Sequence, residues 1–148
     1  MTKKLYLKYK IFNHLMISGN KETCENIFLK SSKLLQKSLT KNNQEIIKTG
    51  IINSSPVINI KQVRFKKGKK KTVKKYPFLL DFENRIVLAI KFILKTIKKK
   101  ENNSFYLYTN LKQEIEASSQ SDCSAIKQKE NLQKDTLLNK KYTYYRWF

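Results

Sequence analysis

Glycine, histidine and cysteine are scarce in this sequence, and their scarcity excludes several kinds of functional site. The 148 residues include three glycines, one histidine (His14) and two cysteines, Cys24 and Cys123. Three scattered glycines cannot form a glycine-rich phosphate-binding loop. The cysteines lack the short spacing of zinc or iron–sulfur ligands, so we expect no metal and no other cofactor. Their positions leave a single disulfide open, but we expect buried, reduced thiols.

Long apolar runs are absent from the sequence, and acidic residues are few relative to basic ones. No run of about 18 apolar residues is present, so the sequence predicts no membrane-spanning helix. Asp and Glu number 11 against 32 Lys and Arg, which gives a formal net charge of +21. Small soluble domains usually carry a net charge of magnitude about 2–8, so solubility alone explains this excess poorly. Because such a charge opposes compaction unless it is neutralised, we expect a polyanionic partner with a phosphate backbone.

The few residues that are capable of acid–base chemistry have structural roles by prediction. His14 lies among apolar residues of a predicted helix, which favours a structural role. Glu114 and Glu116 are two positions apart, so their side chains diverge on a helix and cannot share a substrate. Asp81 and Glu83 are typical of the positive end of a helix dipole. We therefore predict that the chain is not an enzyme.

Hydrophobic periodicity predicts a mainly α-helical single domain of about six helices. The predicted helices cover approximately residues 5–18, 21–39, 44–52, 83–100, 105–117 and 123–145. The predicted inner faces are Leu5, Tyr9, Phe12 and Met16 in the first helix; Ile86, Ile90, Ile93 and Ile97 in the fourth; and Ile126, Leu132 and Leu137 in the sixth. Ser104 is a predicted N-cap for the fifth helix.

Between the third and fourth helices the pattern changes from helix to strand. The breaker cluster at residues 53–56 precedes VINIKQVRF, a segment rich in β-branched residues. Gly68 permits a turn, and residues 72–80 run back with Pro77 marking an edge strand. The alternation slips once after Ile60, as a bulge or a strong twist allows. We therefore predict a protruding β-hairpin arm at residues 57–80, and a short basic tail at residues 1–8 that carries Lys3 and Lys4.

The predicted arm carries basic residues and no acidic ones. Its nine basic residues are Lys61, Arg64, Lys66, Lys67, Lys69, Lys70, Lys71, Lys74 and Lys75. Burial of so many unpaired charges would be prohibitive, so they must face an anion or solvent. A narrow ribbon that enters RNA fits this pattern. A disordered basic loop and a membrane-surface patch are the alternatives. Preferential binding to folded RNA or to anionic liposomes in physiological salt distinguishes the RNA-binding ribbon from the membrane-surface patch.

The C-terminal sequence YTYYRWF leaves two roles open. Tyr145 and Trp147 flank Arg146, an arrangement that can stack on RNA bases. The same rings can instead attach the last helix to the core of the domain.

Several segments, in order, resemble the bacterial and organellar small-subunit ribosomal protein seven family. They are FNHLMISGNKETCEN, PVINIKQVRF, KKYPF, NRIVLAIKFILKTIKKK and AIKQKENLQKDTLLNKKYTYYRW, and the resemblance as a whole covers roughly Tyr9 to Trp147. The resemblance implies a structural protein that binds the three-prime major (head) domain of small-subunit rRNA and supports head assembly. It also implies a position near mRNA and the E-site tRNA, contact with small-subunit protein eleven, no membrane and no homo-oligomer.

The resemblance further implies which basic residues face rRNA. By position these are Lys61, Arg64, Lys75, Arg85, Lys91, Lys127, Lys129, Lys134 and Arg146. The sequence departs from the family pattern in its arm, which is about four residues longer and has a lysine-rich tip. Asp81 and Asn84 stand where the family usually has basic or proline-linked positions. This drift, together with a bias towards AT-rich codons, favours a mitochondrially encoded member; a plastid or an AT-rich bacterium is the alternative.

Overall fold

Six α-helices and one β-hairpin form the parts of the chain that the computed structural model describes, which are residues 3–38, 42–67, 70–100 and 107–145. The helices are α1 Lys3–Leu15, α2 Lys21–Ser38, α3 Asn43–Ser54, α4 Phe82–Lys100, α5 Leu107–Ser119 and α6 Ser124–Leu138. The strands are β1 Ile58–Lys67 and β2 Lys70–Leu79, and a 3₁₀ turn, Lys140–Tyr142, follows α6. The mainly α domain with a hairpin between its third and fourth helices is as the sequence predicts.

Helix α4 is at the centre of the helical body and contacts α1, α3, α5 and α6. Its buried face is the predicted one, with Ile86, Ile90, Ile93 and Ile97 all at most 9% exposed. These residues recur every three or four positions, so they form a single apolar stripe along the helix. Burial of this stripe is the main driving force for folding of the body.

Glycine is required at one place in the body and favoured at another. Helix α3 packs against α5 at Gly50, where a Cβ atom would lie 3.2 Å from the backbone oxygen of Ile115 and 3.3 Å from Ser118 Cβ. The absence of a side chain therefore allows the close approach of these two helices. Gly19, with a φ of +79°, forms the turn between α1 and α2, where the sequence predicts a helix stop.

The predicted inner face of α1 is partly wrong. Tyr9 and Met16 are 39% and 38% exposed, whereas Ile11, Phe12 and Leu15 are buried. The helix contacts α2 and α4 through the edge that carries these three residues, and the ring of Phe12 meets that of Phe28 edge-to-face. The helix begins at Lys3, two residues before its predicted start, and so includes part of the predicted basic tail.

Helix α3 continues two residues past its predicted end. The side-chain amide of Asn53 donates hydrogen bonds to the backbone oxygens of Ser118 and Ser119, both at 3.2 Å. These contacts with the end of α5 hold the last turn of α3, although Asn53 and Ser54 are helix breakers by sequence.

Helix α6 is shorter than predicted and the arm has no bulge. The helix ends at Leu138, and Leu137 is 71% exposed because α6 packs against α3, α4 and β1 through other positions. The strands pair without interruption from Ile58 opposite Leu79 to Lys67 opposite Lys70. Of the two alternatives for the slip after Ile60, the bulge is therefore absent, and a strong twist remains. The predicted N-cap Ser104 lies outside the described residues.

Both cysteines are buried, as the sequence predicts, and the structure places no disulfide at either of them. Cys123 immediately precedes α6 and accepts a 3.3 Å hydrogen bond from the hydroxyl of Ser118. The thiols are therefore packing groups of the body.

Candidate nucleic-acid interface

The arm displays its basic residues on two faces. Because side chains alternate along a strand, Arg64 and Lys66 lie on one face, and Lys61 and Lys74 lie on the other. All four side chains are exposed. No acidic residue interrupts the sequence from residue 57 to residue 80. Each face of the ribbon therefore presents positive charge to its surroundings.

The tip of the arm carries the densest run of predicted contacts. Lys67 pairs with Lys70 and Lys66 pairs with Lys71 in the strand register. Lysines directly opposite one another repel, which destabilises an isolated hairpin. The backbone of Lys67, Lys70 and Lys71 belongs to the strands, whereas Lys69 lies outside the described residues. An anion bound at the tip would relieve this repulsion.

Nearer the body, the lysines of β2 have partners within the protein. The ammonium group of Lys75 lies 3.0 Å from a carboxylate oxygen of Asp135 on α6. The ammonium group of Lys74 lies 5.4 Å from the centre of the Phe65 ring and 5.9 Å from that of Tyr142. Lys75 therefore ties the arm to α6, and Lys74 sits over rings on one face of the arm.

Two further predicted contacts also make structural bonds. Arg85 donates a 2.8 Å hydrogen bond from Nε to the backbone oxygen of Leu80, where the arm joins α4. Lys129 donates a 2.7 Å hydrogen bond from Nζ to the backbone oxygen of Asn53 near the end of α3. Both side chains stabilise junctions between elements, a role that the sequence alone does not predict.

Three of the predicted RNA contacts lie on helices and are exposed to solvent. Lys91 lies on α4, and Lys127 and Lys134 lie on α6. The two α6 lysines are seven residues apart, so they share a side of that helix. Both therefore present their charge to solvent on α6. For Lys3 and Lys4 the structure describes the backbone, which lies at the start of α1.

Tyrosine side chains connect the C-terminal turn to the base of the arm. Tyr76 of β2 is 4% exposed, and its ring centre lies 4.0 Å from that of Tyr145 and 5.3 Å from that of Tyr142. Burial, reinforced by Tyr145 and Tyr142, raises the pKa of the Tyr76 phenol above its usual value. Tyr145 therefore contacts the arm, and not the helical core to which the sequence analysis allowed it to attach. Arg146 and Trp147 lie outside the described residues.

A lysine neighbourhood surrounds the single histidine. Partial burial, followed by the charges of Lys91 and Lys10, lowers the pKa of His14 below its usual value. Lys10 also approaches Glu83 at the start of α4, with 3.8 Å between the ammonium and carboxylate groups. The pKa of His14 is therefore sensitive to the electrostatic potential where α1 meets α4.

A polar groove between the arm and the body is not predicted by the sequence. Gln128, Asn131 and Asp135 line it from α6, and Lys95 lines it from α4. The signal that could have revealed it is a set of polar residues at helical spacing on one face of α6. The apolar stripe and the lysines of that helix are more conspicuous in the sequence.

Neither a metal site nor a membrane span occurs in the part of the chain that the structure describes. Within it, no group of three or more His, Cys, Asp or Glu side chains could hold a metal ion. No helix of the described ranges is long and apolar enough to cross a bilayer.

Comparisons with known proteins agree on one family. The family model described as ribosomal protein S7p/S5e matches residues 2–140. The small ribosomal subunit protein uS7 of Gemmatimonas aurantiaca is 25% identical over 138 residues, which cover 93% of this chain and 85% of the relative. That of Wigglesworthia glossinidia brevipalpis is 26% identical with the same coverage. The protein uS7c of Euglena gracilis is 28% identical over 137 residues, which cover 93% and 84%.

Proposed function

The chain belongs to the ribosomal protein S7p/S5e family, and from this we propose that it binds the three-prime major (head) domain of small-subunit rRNA and supports assembly of the head. The observation that carries the proposal is the family match over residues 2–140. The membership itself makes the chain a structural constituent of the small ribosomal subunit. It also confirms the prediction that the chain is not an enzyme.

The proposed rRNA surface consists of the arm with the neighbouring lysines of α4 and α6. The side chains for which we propose direct phosphate contact are Lys61, Arg64, Lys66, Lys67, Lys69, Lys70, Lys71, Lys91, Lys127 and Lys134. Phosphate contacts supply affinity and register, whereas the shape of folded RNA selects the site. The absence of acidic residues in the sequence of the arm supports this assignment, because no carboxylate would repel the RNA backbone there.

A second group of predicted contacts has both a structural and a binding role in this proposal. Lys75, Arg85 and Lys129 already bond to Asp135, Leu80 and Asn53. Lys74 lies over aromatic rings. We propose that these side chains fix the angle of the arm and approach RNA with their remaining donors. For Lys3, Lys4, Arg146 and Trp147, rRNA contact is proposed from the sequence alone.

The place of the protein in the ribosome is a further part of the proposal. We propose a mitochondrial small subunit, because lysine and asparagine are abundant while glycine and alanine are rare, as AT-rich genomes favour. There the protein would lie near mRNA and the E-site tRNA, with small-subunit protein eleven as a neighbour. Residues 1–148 are proposed as one ribosomal-protein domain, with the arm at residues 57–80.

Neutralisation of the arm tip tests the proposed rRNA surface. Substitution of Lys69, Lys70 and Lys71 by Gln should weaken binding to a transcript of the three-prime major domain. It should also reduce the slope of log affinity against log salt by roughly 0.7–0.9 for each phosphate that the variant no longer neutralises. Lys30, Lys33 and Lys37 on α2 offer a matched control, since their substitution by Gln removes the same charge far along the sequence from the arm.

Two results would contradict this proposal. An equal change of slope for the arm and α2 variants would show that net charge matters and that the arm tip has no special role. Binding of the wild-type protein to anionic vesicles, without preference for folded rRNA in physiological salt, would favour a membrane-surface protein instead.

A further inference from the structure

A groove of about 360 Å³ lies where the arm leaves the body, between the two strands and helices α4 and α6. Gln128, Asn131 and Asp135 line it from α6 at positions that share one helix face. Gln62 and Lys75 line it from the arm. The 3.0 Å ion pair between Lys75 and Asp135 joins the strand to the helix at this groove. The strand and the helix therefore meet at one wall of the groove.

Three of the side chains that line the groove are amides that do not stabilise the fold through hydrogen bonds. Within the described part of the chain, no hydrogen bond engages the side-chain amide of Gln62, Gln128 or Asn131. Each amide offers two N–H donors and one carbonyl acceptor. Paired donors and acceptors of this kind match the edges of nucleobases, which asparagine and glutamine bind in a bidentate manner.

The remaining lining suits a flat aromatic ligand that carries negative charge nearby. Phe92 and Leu132 are half-buried and give the groove an apolar surface. Lys95 is exposed beside them, so a phosphate next to the ligand would find a cation. The volume is at the lower end of the range for small-ligand sites, roughly 300–1,000 Å³, and suits one nucleotide.

We propose that this groove receives one unpaired nucleobase of small-subunit rRNA, whose edge is read by Gln62, Gln128 and Asn131. The inference rests on the proposed rRNA binding and adds a base-specific contact to it. Unpaired RNA bases that splay out of a helix are recognised in this way, by rings and by amides at their edges. The excess of positive charge in the chain favours RNA over a peptide segment as the occupant.

Leucine substitution on α6 tests the proposal with a matched control. Gln128→Leu and Asn131→Leu each remove a groove amide, keep the side chain close in size and leave the charge unchanged. Gln133→Leu makes the same change at an exposed position of the same helix that does not line the groove. The full-length variants are compared for affinity to the three-prime major domain transcript and for chemical reactivity of its base edges. Circular dichroism checks that α6 remains folded.

We expect each groove variant to bind roughly tenfold more weakly, as the loss of a hydrogen bond to a base edge implies. The slope of affinity against salt should not change, because every phosphate contact is retained. One base that the wild type and Gln133→Leu protect from modification should become reactive with Gln128→Leu and Asn131→Leu.

Equal affinity and equal base protection for Gln128→Leu and Gln133→Leu would overturn the proposal. So would a photo-crosslinker at position 131 that captures a ribosomal protein and no RNA in assembled subunits, since a peptide would then occupy the groove. Failure of the proposed function is a separate result, because the wild-type protein would then not bind the transcript at all.

Discussion

The helical body and the arm are held in place by different forces. In the body, buried isoleucines and leucines of α4 pack against four other helices. The arm is a ribbon of two strands, and a two-stranded hairpin alone is marginally stable in water. Its base is fixed by Tyr76 with Tyr142 and Tyr145, and by the ion pair between Lys75 and Asp135. Towards its tip, the side chains are mostly charged.

This difference teaches that the buried residues of the body supply stability, whereas the proposed binding charges lie on the arm and on exposed positions of α4 and α6. Apolar burial is the main source of stability in the body. The repulsion among lysines of the arm opposes its order until an anion binds. A partially exposed ion pair such as Lys75–Asp135 contributes only about 0–1 kcal/mol, so the tyrosines are the main attachment of the arm in the free protein.

We expect the largest change in the free energy of unfolding when a buried side chain of the body is truncated. Ile93→Ala should lower the free energy of unfolding by about 2–5 kcal/mol, because it enlarges the interior around a side chain that is 5% exposed. An apolar cavity of about 20 Å³ already adjoins Ile93, and the substitution would enlarge it. Urea unfolding followed by circular dichroism measures this loss.

Val73→Ala provides the corresponding change in the arm. Val73 is 54% exposed, so its truncation should alter the free energy of unfolding by no more than about 0.5 kcal/mol. Similar losses for Ile93→Ala and Val73→Ala would show that the two regions unfold as one unit with a shared core. The proposed division of stability between the regions would then be wrong.

The body is the more predictable region, for a physical reason. The inner face of α4 can be predicted from Ile86, Ile90, Ile93 and Ile97, because apolar periodicity and burial have the same cause. The end of α3 cannot be predicted in this way. It depends on hydrogen bonds from Asn53 to Ser118 and Ser119, which lie 65 and 66 positions further along the chain. The residues next to Asn53 in the sequence do not indicate such distant partners.

The candidate interface is predictable in its charge and not in its contacts. The run of lysines identifies the arm as the basic region directly. The bonds of Lys75 to Asp135 and of Lys129 to Asn53 arise only when distant elements meet. The groove beside the arm escapes prediction for the same reason, because its walls come from four separate elements.

A smaller effect is expected when the attachment of the arm is weakened. Tyr145→Ala removes the ring that lies 4.0 Å from Tyr76, and an aromatic pair contributes about 0.5–1.5 kcal/mol beyond its buried area. Hydrogen exchange of the β1 and β2 amides should therefore accelerate by about two- to twelvefold, while exchange in α4 stays unchanged.

Tyr144→Ala is the matched control, because Tyr144 is adjacent in sequence and 92% exposed. Equal exchange in the arm for both variants would show that Tyr145 does not hold the arm. A loss of rRNA affinity in Tyr145→Ala without any change in exchange would instead support the role of Tyr145 in stacking on RNA.

The smallest expected effect tests whether the body also touches RNA. His14 is the single histidine, so its titration can be followed by NMR without ambiguity. Its pKa is lowered by burial and by the charges of Lys91 and Lys10. The unfolded chain therefore binds the proton more readily, and the contribution of His14 to stability is present above pH 6.5 and is lost as the pH falls through the lower pKa of the folded state.

Bound RNA should reverse part of this shift. If phosphates approach Lys91, as we propose, they neutralise the charge that disfavours protonation, and the pKa of His14 should rise towards its usual value. Lys91→Gln should raise the pKa in the free protein and reduce the further rise on RNA binding. An unchanged pKa in the complex would mean that RNA does not reach the junction of α1 and α4, and that binding is confined to the arm and α6.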